Sequence, residues 1–102
     1  MIRFVEVVNR TEWNPRMERT AIPQFELQEV WINEEHVVNL REAPEYKRML
    51  QEGRLPADLN VKHAFTAVTT NLGNMSETYV VVGDLPTVAN RLSKSRASLL
   101  KG

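Results

Sequence analysis

His36 and His63 are the only histidines in the chain, and cysteine is absent. Thiol chemistry and thiolate metal sites are therefore excluded. A serine nucleophile would have to be Ser76, Ser93, Ser95 or Ser98, all in polar settings without a nucleophile-elbow spacing. Glu34, Glu35 and His36 could offer metal ligands, yet adjacent side chains point in different directions and rarely close one coordination shell. Four glycines stand singly, so there is no glycine-rich loop to cradle a phosphate. These residues read as a non-enzymatic protein with no metal and no cofactor.

Anion binding is better supplied. Arg10, Arg16 and Arg19 flank Trp13 in one segment, and Arg91, Lys94 and Arg96 recur near the C-terminal end. A guanidinium fork suits phosphate because it donates paired hydrogen bonds, while Trp13, Phe65 and Tyr79 offer faces on which a base could stack. The expected ligand site is thus Arg10, Trp13, Arg16, Arg19, Phe65, Arg91 and Lys94. A plainer explanation stands beside it. Tryptophan in a long loop commonly pins that loop to a core, and cations gather at helix C-termini without any ligand.

The 102 residues suffice for one domain with a modest core. Thirteen Lys and Arg balance thirteen Asp and Glu, so no bulk field favours nucleic acid or a membrane surface. The opening MIRFVEVVNR is too short and too charged for a signal peptide, and no apolar run approaches a membrane span. A soluble cytoplasmic protein is expected.

Around these residues the chain reads as strands and two helices. Ile2 to Asn9 forms a first strand with Ile2, Phe4 and Val8 on one side and Val5 and Val7 on the other. Arg10 to Gln24 has no steady period and two prolines, which in a compact domain marks a functional or mobile loop. Phe25 to Asn33 is a second strand, in which Phe25, Leu27 and Trp31 alternate with Glu26 and Gln28 and Val30 and Ile32 turn the far end inward. A tight turn capped by Asn33 leads into a third strand, His36 to Glu42.

Pro44 opens a short helix with Tyr46, Met49 and Leu50 on its buried side, stopped by Gly53. His63 to Asn71 is a fourth strand, and Asn71 to Asn74 is a hairpin turn into a fifth. That strand, with Thr78-Tyr79-Val80-Val81-Val82 as its β-branched and aromatic run, hands over at Gly83 to a helix capped by Asp84. Leu85, Val88, Ala89, Leu92 and Leu99 recur at helical spacing and must lie back on the sheet. The expected fold is α+β: a bent antiparallel sheet of about five strands with a short middle helix and a C-terminal helix packed on it.

Three stretches carry a likeness: Val30 to Val38, Tyr79 to Val82, and Asp84 to Leu92. Their order of strand, single turn, strand, hairpin strand and terminal helix resembles the small flagellar-regulator proteins of the FlbD-like family and their phage relatives. The likeness covers about half the chain and departs from it at Arg10–Gln24 and at the inserted Glu42–Asn60 segment. The architecture is also similar to that of the phage anti-defence sponge proteins that inhibit Thoeris. This second likeness implies an oligomer that sequesters a cyclic nucleotide signal without cleaving it, with the anion near Phe65, Arg91 and the Arg10–Arg19 segment. The alternative is a protein-interaction module that modulates host transcription or another host factor, and it predicts an exposed apolar patch in place of a basic pocket. Homo-oligomerisation is expected in either case, because a small sheet has edges to cover.

Overall fold

A computed structural model describes residues 1–10, 24–56, 59–60 and 62–101, with side chains as far as Lys94. Five strands and two helices follow in the order β1 (Ile2–Asn9), β2 (Phe25–Ile32), β3 (Val37–Glu42), α1 (Pro44–Gln51), β4 (Phe65–Leu72), β5 (Met75–Val82) and α2 (Leu85–Lys101). The strands form one antiparallel sheet in the order β2-β1-β5-β4-β3. The α+β expectation stands.

Two regular ladders form most of this sheet, and β3 joins it along β4 in a register that shifts between Val37 and Asn39. β1 pairs with β2 from Ile2↔Ile32 to Asn9↔Phe25, and β4 pairs with β5 from Phe65↔Val82 to Leu72↔Met75. They meet at Glu6↔Val81, where β1 lies beside β5. Alternation along each strand then fixes two apolar clusters, one per face. On the first face Phe4, Ile32, Val68 and Val81 are buried with Val88 and Leu92 of α2. On the second, Val7 and Phe65 are buried with Ala43, Leu50 and Leu55 from α1 and its flanks, and Phe25 and Tyr46 meet edge to face at 6.2 Å.

The link from β5 to α2 uses the residues expected of it. Gly83 has φ +139°, a conformation that costs a side-chain-bearing residue, and a Cβ there would stand 3.1 Å from Val88 Cγ2. Its amide donates to Ala64 and its carbonyl accepts from the Thr66 hydroxyl. Asp84 Oδ1 accepts from the Thr87 amide at 2.8 Å, a side-chain N-cap. Hydrogen bonding from the Thr87 side chain, and then from its amide, favours the carboxylate and holds the Asp84 pKa below its ordinary value. At the end of α1, Arg54 N–H donates to Met49 and Gly53 N–H to Leu50, with Gly53 at φ +72°, which makes a Schellman stop.

Some boundaries differ from expectation. Residues 34–36 are one turn of 3-10 helix with Asn33 Oδ1 accepting from Glu35 N–H, so β3 starts at Val37. Pairing of β4 and β5 continues through Leu72↔Met75, and only Gly73 and Asn74 form the tip. With φ positive at Gly73 alone, that tip follows a type II′ turn. Ile32 at the far end of β2 is buried as expected, while Trp31, which shares the alternation of Phe25 and Leu27, is exposed. It lies on the sheet's edge strand, and its indole Nε1 donates to Glu29 two residues back on the same face. α1 covers the Phe25–Leu27 end of that face and does not reach it.

Candidate functional site

Of the residues expected to hold an anion, the four that are described, Arg10, Phe65, Arg91 and Lys94, do not come together. Phe65 is 2% exposed, packed in the α1-face cluster with no ring face left for a base. Arg91 extends over the opposite face of the sheet. Its guanidinium carbon sits 4.4 Å from the Phe4 ring centroid, and Nη2 donates to the Arg3 carbonyl at 2.6 Å. The aliphatic stem of a long cation can cover apolar surface while its head finds a ring and a carbonyl. Arg10 sits at the far end of β1, 3.4 Å from Glu26 Oε2 and in hydrogen-bond contact with Gln28. Lys94 is exposed on α2. Trp13, Arg16 and Arg19 lie outside the described residues, as does the side chain of Arg96.

A different cleft is built where the sheet curls over its α2 face. The end of β2 and the β4–β5 hairpin are separated by β1 in the sheet, yet both border one hollow. Its cavity volume is about 240 Å³. Ile32, Thr70, Leu72, Met75, Glu77 and Tyr79 line it from strands, and Met1, Trp31, Asn33 and His36 complete the rim. Among the described residues five large hydrophobics are more than half exposed, and four of them, Met1, Trp31, Leu72 and Met75, border this one cleft. Isolated exposed hydrophobics are ordinary, but their convergence on a concavity is not.

The charged groups at the cleft are the Glu77 carboxylate and the Met1 ammonium, the latter paired with Glu34. The Tyr79 hydroxyl donates to the Glu77 carboxylate two residues before it on the same face. That bond, more than burial or the Glu77 and Glu6 charges, raises the Tyr79 pKa above the ordinary tyrosine value. His36 contributes an imidazole, and neither lysine nor arginine is among the lining residues. Beneath the 3-10 turn, the buried Glu34 side chain places Oε2 3.0 Å from the Met1 nitrogen. This ties the start of β1 to the chain segment that crosses from β2 to β3.

Among the described residues, no group of three or more His, Asp or Glu side chains could hold a metal ion, and no helix is long and apolar enough to cross a membrane. No protein-family model, curated protein or solved structure matches this chain. Its own residues therefore carry the functional reading. Sequence reasoning missed the cleft because Leu72 and Met75 flank a turn and Met1 opens a strand. Only the curl of the sheet brings them together.

Proposed function

We propose that this chain is a non-enzymatic binding module whose cleft between β2 and the β4–β5 hairpin receives an apolar side chain of a protein partner. The observation that carries this reading is the gathering of Met1, Trp31, Leu72 and Met75 around one hollow. Aromatic residues and methionine are the types enriched where proteins meet, and methionine adapts to irregular ligand shapes.

Size and charge favour a protein side chain over a nucleotide in this cleft. A cavity of about 240 Å³ falls below the roughly 300–1,000 Å³ of pockets that enclose whole small molecules. It has room for one or two side chains. Glu77 supplies a negative charge, while the lining supplies no lysine or arginine to meet phosphate. The matching partner segment presents a leucine, methionine or aromatic residue next to a lysine or arginine.

The test is selection from a displayed random-peptide library on the immobilised protein, followed by titration of the enriched peptides. Expected are sequences pairing an apolar residue with a cation, whose affinity falls at least about tenfold in Met75→Ser or Leu72→Ser, the scale of one interface anchor. Absence of enrichment, or peptides that bind both variants as tightly as the parent, would overturn the reading. A parallel titration with cyclic nucleotides tests sequestration of an anionic signal. Binding there that is indifferent to Met75→Ser but lost in Arg16→Ala or Arg91→Ala would replace the cleft reading with that one.

A further inference from the structure

The two edges of the sheet are not alike. β3 is six residues long, and its pairing with β4 shifts register between Val37 and Asn39, a bulge of the kind that discourages further pairing. β2 runs eight residues, FELQEVWI, in unbroken register with β1. It contains no proline, lysine or arginine, the usual guards of an edge. Its two carboxylates are already neutralised by the neighbouring strand, with Arg3 Nε 2.9 Å from Glu29 Oε2 and Arg10 Nε 3.4 Å from Glu26 Oε2. Among the described residues no strand covers its outer side.

We infer that β2 pairs antiparallel with β2 of a second copy of this chain, about a two-fold axis at Gln28, to make one continuous sheet. The charge pattern selects this register. Residues opposite one another across an antiparallel pair project to the same face. Two registers satisfy that rule while using nearly all of β2. One pairs Glu26 through Ile32 and sets Glu29 against the partner's Glu29, two like charges directly opposed. The other pairs Phe25 through Trp31 and sets Gln28 against the partner's Gln28, with no carboxylate facing a carboxylate.

The second register also answers for Trp31. It places this exposed indole across from the partner's Phe25, twice by symmetry, on the face where Phe25 already packs on Tyr46. The α1-face cluster of each protomer would then be capped by the other's tryptophan, and aromatic pairs of this kind stabilise cross-strand contacts. The inference shares Trp31 with the cleft, whose Leu72 and Met75 belong to the β4–β5 hairpin, and the Gln28 variants test it apart from that site.

Sedimentation velocity over a concentration series provides the test, on the intact chain. The parent is expected to dimerise. Gln28→Glu, which keeps a partner for Arg10, and Gln28→Lys should each weaken the dimer by at least about tenfold through opposed like charges. An equimolar mixture of the two should recover a heterodimer. Because the chain has no cysteine, Gln28→Cys should oxidise to a covalent dimer. Glu26→Cys should do so only when mixed with Val30→Cys, its opposite number in this register. A parent that stays monomeric throughout the series, or a dimer indifferent to both charge variants, overturns the inference. Folding of each variant is checked by circular dichroism, and Trp31→Ser, which leaves the backbone edge intact, should weaken the dimer as a second, independent lesion.

Discussion

The α2 face of this sheet has two ends built from the same strands and finished differently. At one end Phe4, Val68 and Val81 are roofed by Val88 and Leu92, and Arg91 lies across Phe4 to close the seam. At the other, Leu72 and Met75 are exposed, and no element of the described chain covers them. Burial at the first end is what folds the protein. Exposure at the second adds nothing to stability, and it is the surface that the proposed partner would cover.

That contrast can be broken most directly by truncating one large side chain at each end. Phe4→Ala should cost about 3–5 kcal/mol of unfolding free energy in a urea titration, because the removed ring leaves a cavity among packed neighbours. Leu72→Ala should stay within about 0.5 kcal/mol of the parent, as exposed substitutions do. Equal losses at the two positions would mean that the hairpin end is roofed after all.

The junction into α2 comes next in size. Gly83→Ala places a methyl group 3.1 Å from Val88 at a φ of +139°, and should destabilise by about 1–3 kcal/mol. Arg91→Met keeps an apolar stem over Phe4 while removing the ring–cation contact and the hydrogen bond to the Arg3 carbonyl. A loss of about 1 kcal/mol is expected in the same urea titration. An Arg91→Met midpoint equal to that of the parent would show that the closed end needs no such seal.

The closed end was legible in sequence for a physical reason. Val80 to Val82, Gly83, Asp84 and Pro86 each have a strong local preference, and each preference agrees with the tertiary packing. Asn33 and Gly53 were readable on the same grounds, a cap and a left-handed stop. The open end depends on long-range curvature between strands that are not neighbours, and no local period encodes it. Trp31 shows the limit of alternation: the period correctly gives the face, but burial also needs something on that face to cover it. Arg91 shows the converse, since its helical position is outward while its long side chain reaches back over the sheet.

The smallest expected effect lies midway between the ends, at the seam between the two ladders. Glu6, opposite Val81, titrates above the usual carboxyl range: burial is the main cause, Glu77 adds to it and Arg10 opposes it. A carboxyl with a raised pKa in the folded state holds its proton longer than the unfolded chain does. Its ionised form therefore costs stability above the folded pKa, and the cost fades as pH falls below the ordinary value of 4.5. Glu6→Gln should accordingly be more stable than the parent at neutral pH, by no more than about 0.5 kcal/mol for so accessible a group. The difference should shrink toward zero near about pH 4. A Glu6→Gln variant that is less stable than the parent at neutral pH would instead make the Arg10 contact the dominant influence, and the seam a place held by charge.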